Sequence, residues 1–204
     1  MKTLYIERST GECRDGKWVE ALDLDGVERI VVGTGPGSFA GIRSALAFAQ
    51  GFALGTKCEV LGLPSACACA AQVLQSIIHS NNSNNQAIRL AVVGDARQGK
   101  AWIALFDGLK LERDVFQVNQ AELKGTVPSD HKVNQTDLKG SVPADYLVTT
   151  PDEKRLDGFL RDAFGDRYLG GQSPTSAGLQ AFAEACPSIL KEEPLPIYLN
   201  PAVR

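Results

Sequence analysis

The pattern of apolar and polar positions alternates between short runs typical of strands and longer runs typical of helices. β-Branched runs predict buried strands at Arg29–Val32 and Arg89–Val93. Helical spacing predicts a long apolar helix over Ser38–Gly55 and an amphipathic helix over Pro151–Phe164. The same criteria add strands at Thr3–Glu7, Lys17–Leu22, Glu59–Leu61, Ala101–Phe106, Lys110–Val118 and Asp145–Thr149, and helices at Pro64–Ile78 and Ser176–Cys186. This alternation of strands and helices predicts an α/β fold.

The first strands of the chain predict an antiparallel opening. Asp15-Gly16 is a tight-turn signal between Thr3–Glu7 and Lys17–Leu22, so we expect these two strands to pair as a meander. The strand Arg29–Val32 then ends in Gly33, the pattern of a buried strand whose carboxyl end opens onto a loop.

Composition narrows the class of protein without changing this picture. The 204 residues are 44% apolar and 22% charged, as in an ordinary globular protein, and a net charge of -3 gives no general attraction to nucleic acid. Among five cysteines, Cys67 and Cys69 form a C-x-C pair in an alanine-rich helical pattern, which favours small buried hydrophobes over a metal or redox role. No secretory leader precedes Thr3–Glu7 and no apolar stretch is long enough for a bilayer, so we expect a cytoplasmic protein without a membrane anchor.

A tandem repeat with a period of 15 residues occupies Val118–Lys132 and Val133–Leu147. Val-Asn-Gln, Leu-Lys-Gly, Val-Pro and Asp recur at equal offsets in both copies. Two copies are too few for a solenoid, and each contains Gly and Pro with little apolar periodicity. We therefore expect a local duplication with one copy looped out at the surface, and neither copy in the core.

The segment Gly33–Gly41, here called the glycine turn, carries candidate chemistry. Glycines at alternate positions permit positive φ and close approach to the backbone amides, and Ser38 can cap the following helix. The unpaired N–H groups of a helix N-terminus can bind an anion, but the same turn can equally serve only to pack its strand against its helix. The sequence leaves both interpretations open. It matches no P-loop, dinucleotide fingerprint or nucleophile elbow, since the lysine is absent and Ser38 stands at the third glycine position.

The helix after the glycine turn has almost no polar side. Arg43 is its only charge, whereas a surface helix normally has a charged face. The helix is therefore buried on more than one side, by its own lobe or by another subunit. Small residues at Ala45, Ala47 and Gly51 would allow a second helix to approach closely.

The glycine turn also resembles a known signature. Gly35–Arg43 reads Gly-Pro-Gly-Ser-Phe-Ala-Gly-Ile-Arg and closely resembles the G-P-G-S-F-T-G-I/V-R signature of the TsaB (YeaZ) family in the actin-like ATPase superfamily. Asp95–Gly99 is similar to the family's D-A-R-x-G turn, Pro196–Leu199 to its closing P-x-Y-L, and Leu4–Cys13 faintly to its opening strand and turn. The resemblance covers most of the chain.

The resemblance implies an actin-like (ribonuclease H-like) α/β fold with two lobes of mixed sheet and flanking helices, placed at 1–88 and 89–204. The first lobe is expected to be reduced, because only about ten residues separate Lys17–Leu22 from the glycine turn, where the family has a further strand and a long helix. The implied function is that of a non-catalytic subunit in N6-threonylcarbamoyladenosine modification of tRNA, which binds and supports a TsaD-like paralogue. A TsaE-like ATPase joins the pair, and tRNA is reached only through the complex. A homodimer is the alternative assembly.

The resemblance further implies two sets of site residues. The partner interface on the helix comprises Phe39, Ile42, Arg43, Leu46, Ala47 and Gly51. A nucleotide or anion turn comprises Gly33, Gly35, Gly37, Ser38, Asp95 and Arg97. Weak binding of ATP or ADP is the one cofactor interaction this turn allows, and neither a catalytic residue nor a metal site is predicted.

Two other functions are alternatives: a small-molecule kinase or ATPase, which would have the same fold, and a peptidase, which an old label of the family suggests. A small-molecule kinase or ATPase would need an acidic residue and an intact phosphate hairpin near the first strand, where this chain has Glu7 and Arg8. A peptidase would need a metal site or a Ser-His pair, and the two histidines, His79 and His131, fit neither. Ala40 replaces the threonine of the signature, which removes a hydroxyl but no backbone amide. We therefore expect the chain alone to have no activity.

Overall fold

The computed structural model describes residues 1–10, 17–80, 88–124 and 142–199. The chain forms two compact units, one of Met1–Ala71 with Pro174–Tyr198 and one of Gln72–Ser173. Two sheets with flanking helices confirm the predicted α/β fold. The predicted boundary at residue 88 differs from this division, because the last helix and the tail belong to the first unit.

The strands are β1 (Lys2–Ile6), β2 (Val27–Gly33), β3 (Glu59–Leu63), β4 (Arg89–Arg97), β5 (Lys100–Asp107), β6 (Lys110–Asn119), β7 (Leu147–Thr150) and β8 (Tyr168–Gly171). The helices are α1 (Phe39–Thr56), α2 (Ser65–Ser80), α3 (Glu153–Phe164) and α4 (Ser176–Ala185). Short 3-10 turns lie at Lys17–Val19, Gln120–Lys124, Gly165–Arg167 and Pro187–Ile189.

The first unit is built on a parallel sheet in the order β1-β2-β3. Its central strand is apolar on both sides, because Ile30 and Val32 on one face and Val31 on the other are buried. The inner face of α1 supplies Ile42, Ala45 and Ala49 to the same core. Sheet and helix thus bury one continuous apolar cluster, and α1 begins at the carboxyl end of β2.

The antiparallel strand predicted at Lys17–Leu22 is wrong, since Lys17–Val19 is a 3-10 turn and β1 pairs in parallel with β2. Trp18 and Leu22, four positions apart, both pack against the apolar cluster of the first unit. The Trp18 ring meets Phe48 edge-on with 5.4 Å between centroids. These residues therefore follow helical spacing, and the mixed strand pairing of the fold is found in the second sheet.

The second unit has a mixed sheet in the order β6-β5-β4-β7-β8. β4, β5 and β6 form an antiparallel meander, while β7 and β8 are added in parallel. The β4–β5 hairpin closes through Gln98 and Gly99, both with positive φ (53° and 71°), as a type I′ turn requires. Leu156, Leu160 and Phe164 of α3 recur every four residues and pack on this sheet.

The prediction that neither repeat copy contributes to the core is wrong. Val118 and Leu123 of the first copy and Val142 and Tyr146 of the second are all buried in the core of the second unit. Among the described residues each copy contributes only two buried positions to this cluster, which are too few to establish a helical or strand period. Residues 125–141, which make up more than half of the two copies, lie outside the described residues, and the prediction that one copy is looped out falls on them.

Candidate functional site

The glycine turn uses several of its own amides inside the fold. The N–H of Thr34 donates to the Leu63 carbonyl at 2.9 Å, and that of Gly35 donates to Ser65 Oγ at 3.0 Å. The N–H of Ser38 donates to the Ser9 carbonyl at 2.6 Å. These three donors connect the end of β2 and the start of α1 to neighbouring segments of the same unit. The contacts correspond to the packing interpretation of the glycine turn.

The glycines of the turn are needed because the segment after β1 crosses it closely. A Cβ on Gly41 would collide with the carbonyl oxygen of Arg8, and one on Gly37 would collide with the Ser9 backbone. Gly35 has φ 92°, which L side chains rarely adopt. A larger residue at Gly37 or Gly41 would push Ser9 or Arg8 away from the N-terminus of α1.

Glu7 and Arg8 both pack within the first unit. The Glu7 carboxyl is buried, and its Oε1 accepts the N–H of Ser9 at 2.6 Å. Its Oε2 lies against Gly33 without a hydrogen-bond partner among the described residues. Burial raises the pKa of this carboxyl, because the charged form loses its hydration. The Arg8 guanidinium lies 5.0 Å from the Trp18 ring centroid.

The structure divides the six predicted interface residues into two groups. Ile42 and Leu46 are buried in the unit's own core, because they fall on the stripe of α1 that faces the first sheet. They are therefore core residues and not part of an exposed interface. The exposed members are Phe39, Arg43, Ala47 and Gly51.

The exposed face of α1, here called the α1 face, is almost uncharged. It consists of Phe39, Ala40, Arg43, Ser44, Ala47, Gln50, Gly51, Leu54 and Gly55. Leu54 is 89% exposed, and nothing lies within 4 Å of the positions that Cβ atoms on Gly51 and Gly55 would take. The helix itself is well formed, since Ser38 Oγ accepts the N–H of Gly41 and Lys57 ends it at φ 61°. A nearly uncharged helix face with small residues at Ala47, Gly51 and Gly55 fits the close approach of another helix.

Tyr198 joins the α1 face from the far end of the chain. Its ring lies 5.3 Å from that of Phe39, and the Arg43 guanidinium lies 4.9 Å from the Phe39 centroid. The tail is held by the N–H of Ile197, which donates to the Thr34 carbonyl at 2.8 Å. We call Phe39, Arg43 and Tyr198 the aromatic cluster. Tyr198 lies in the closing P-x-Y-L motif, and no local sequence signal places that motif beside α1.

The predicted turn residues Asp95 and Arg97 lie in the second unit, whereas the glycine turn lies in the first. The Asp95 carboxylate accepts from Arg155 at 2.9 Å and pairs with Arg97 at 3.3 Å. The N–H of Asp95 donates to Asp152 Oδ2 at 2.8 Å, and burial raises the pKa of the Asp152 carboxyl. Asp95 and Arg97 thus take part in closing the β4–β5 hairpin.

The described residues contain neither a metal site nor a membrane-spanning helix. No group of three or more His, Cys, Asp or Glu side chains that could hold a metal ion is present there. His79 is exposed, with Nδ1 2.6 Å from the Gln75 carbonyl oxygen, and His131 lies outside the described residues. None of the helices described is both long and apolar enough to cross a bilayer.

Comparison with known proteins gives concordant results. Residues 20–116 match the family model described as TsaD: tRNA N6-adenosine threonylcarbamoyltransferase. The tRNA threonylcarbamoyladenosine biosynthesis protein TsaB of Escherichia coli strain K12 is 31% identical over 100 residues, which are 49% of this chain and 40% of that protein. The match thus spans less than half the length of this curated relative.

Two solved structures from Pseudomonas aeruginosa share the fold. One is an uncharacterized protein with similarity to peptidase YEAZ, with a TM-score of 0.59 and 20% identity over 92% of this chain and 80% of that one. The other is YeaZ, with a TM-score of 0.58 and 18% identity over 90% and 79% of the two chains.

Proposed function

We propose that the chain is a member of the TsaB (YeaZ) family of the actin-like ATPase superfamily and a non-catalytic subunit in N6-threonylcarbamoyladenosine modification of tRNA. The similarity to TsaB of Escherichia coli and to the TsaD family model supports this proposal. The role of the chain is to bind a TsaD-like paralogue, which performs the transfer, and to support that enzyme's working state. A TsaE-like ATPase joins this pair.

The observation that carries the proposal is the α1 face. Eighteen residues of helix expose a surface whose only charge is Arg43, with small residues at Ala47 and Gly51. A helix that remained fully solvated would normally carry several charges on its outer side. A face of this composition supports association with another protein.

The arrangement around the glycine turn supports a role without catalysis. The amides of Thr34, Gly35 and Ser38 already have acceptors within the unit. The Glu7 carboxyl is enclosed beside Gly33, so it is poorly placed to act on a nucleotide in solvent. These contacts argue against the kinase or ATPase alternative, and anion binding by the turn stays a prediction.

We propose that the chain acts in the cytoplasm and reaches tRNA only through the complex. A net charge of -3 provides no overall basic footprint for the phosphate backbone. The paralogue therefore supplies the tRNA contacts in the proposed complex.

Reconstitution tests this function. The TsaD-like and TsaE-like proteins of the same genome are combined with tRNA, ATP and the threonylcarbamoyl donor, with and without the chain, and modified adenosine is measured by mass spectrometry of digested tRNA. We expect modification only when the chain is present, and none with the chain alone. Equal modification with and without the chain would contradict the proposal.

A further inference from the structure

A cavity of about 340 Å³, here called the α2–β8 cavity, lies within the second unit. It separates the second half of α2 from the edge of the mixed sheet. The residues that line it and that matter below are Val73, Ser76 and Ile77 of α2, Thr149 of β7, and Leu169 and Gly170 of β8. A space of this size holds about ten water molecules or a ligand with a similar number of non-hydrogen atoms.

The backbone of β8 leaves the cavity accessible. β8 is the last strand in the order of the second sheet, so no further strand is paired with it in the described part of the chain. Gly170 has φ 92°, and a Cβ on it would meet nothing within 4 Å. Leu169, beside it, is 42% exposed. A small molecule can therefore reach the cavity from the edge of the sheet.

The lining of the cavity excludes charged ligands. Val73, Ile77 and Leu169 give it apolar walls, and no charged side chain is among the described residues that line it. A carboxylate or phosphate that entered would lose hydration and find no counter-ion, which is unfavourable. The cavity is thus suited to a neutral molecule with an apolar part.

Thr149 adds one directional polar group to this lining. The residue is only 1% exposed, and its Oγ1 donates a hydrogen bond to the Gly170 carbonyl at 2.9 Å. Because the single hydroxyl hydrogen is already used, Oγ1 can take part in a further hydrogen bond only as an acceptor. A ligand that carries an N–H or O–H group complements it.

We propose that the α2–β8 cavity is a binding site for a small neutral molecule that has an apolar ring or chain and an N–H or O–H donor, which Thr149 Oγ1 accepts. No described residue of the glycine turn lines this cavity, and neither does Asp95 or Arg97. The site is therefore separate from the residues considered above and goes beyond the proposed function.

Three probes of similar shape test the chemistry. Benzamide is neutral and donates N–H, methyl benzoate is neutral without a donor, and benzoate is charged. Each is titrated into the ¹⁵N-labelled full chain, and amide chemical shifts are followed at Gly170 and its neighbours. We expect benzamide to bind there, methyl benzoate to bind about 3- to 10-fold more weakly, and benzoate to bind roughly tenfold or more weakly.

Variants of the lining locate the interaction. Thr149→Val keeps the shape of the side chain but removes the hydroxyl, so benzamide and methyl benzoate should then bind equally. Ser76→Trp fills the cavity from an exposed position of α2 and should abolish binding. Gln75→Trp is the matched control, because Gln75 is exposed on the same helix and does not line the cavity; it should bind benzamide as wild type does.

Several results would overturn the inference. These are the absence of saturable benzamide shifts at its solubility limit, shifts confined to another part of the chain, equal affinities for benzamide and benzoate, and unchanged binding to Ser76→Trp. Should Thr149→Val not fold, the comparison of Ser76→Trp with Gln75→Trp still decides whether the cavity is the site.

Discussion

Deletion of one repeat copy tests whether the two copies can replace each other in the core of the second unit. In the structure, Val118 pairs with Ala101 and is buried, and Leu123 is almost fully buried. Removing Val118–Lys132 joins Gln117 directly to Val133. Because the copies match at equal offsets, Val133 then takes the position of Val118, and Leu138 takes that of Leu123.

The structure sets the size of the expected effect. The second copy's Val142 and Tyr146, which are buried, are retained in the shortened chain. If Leu138 did not replace Leu123, the lost burial would cost about 2–5 kcal/mol, or about 4–20 °C in Tm for a protein of this size. With replacement, the core is unchanged and each halving of the connection lowers the closure cost by about 0.6 kcal/mol. We therefore expect a Tm equal to that of the full chain or a few degrees higher.

Calorimetric melting provides the assay, with two controls. Removal of only 14 residues, Val118–His131, places Lys132 at the buried position of Val118 and should destabilise the protein. Leu138→Ala in the 15-residue deletion should destabilise it as much as Leu123→Ala does in the full chain. A 15-residue deletion that unfolds, or that melts more than 5 °C lower, would refute the equivalence of the copies.

The remaining predictions concern the first unit. Burial raises the pKa of Glu7 in the folded protein above its ordinary value of 4.5. The stability that the protonated carboxyl contributes is therefore fully present below pH 4.5 and is lost as the pH rises through the folded pKa. Glu7→Gln should therefore melt higher than wild type by a margin that grows with pH above 4.5, and a constant margin in a pH series would contradict this. Gly41→Ala should lower the free energy of unfolding in urea by about 1–3 kcal/mol, because its Cβ would meet the Arg8 carbonyl. Gly55→Ala, in the same helix but beside open space, should raise it by about 0.5–1 kcal/mol. Similar effects of the two substitutions would refute the packing argument. The purified chain should show neither ATP hydrolysis nor peptide cleavage, and turnover that disappears in Glu7→Ala would show the opposite.

Much of the fold could be predicted because its signals are local. The β-branched run before Gly33 predicts β2, and Ser38 with the apolar stretch after it predicts α1 to within a residue. The run Lys17–Leu22 failed because its apolar residues fit a turn of helix as well as a strand, and tertiary packing of Trp18 decided between them. The core role of the repeat was missed because contacts between residues far apart in sequence leave no local period.

The candidate site was predictable in position but not in detail. A helix that is apolar all round gives no sequence signal for which side faces its own sheet, so Ile42 and Leu46 could not be distinguished from Ala47 and Gly51. Tyr198 reaches the site only because the tail folds back onto the glycine turn, which is a property of the tertiary structure.

Binding of the TsaD-like paralogue to an Ala47→Glu variant tests the central claim most directly. Ala47 is exposed on α1, so the variant should fold with an unchanged Tm. Burying its unpaired carboxylate should weaken the complex by roughly a hundredfold or more. Ala177→Glu is the matched control, since Ala177 is exposed in the first turn of α4, where an acidic residue is tolerated. We predict loss of binding for Ala47→Glu and wild-type affinity for Ala177→Glu; equal, wild-type affinity for both variants would contradict a partner on the α1 face.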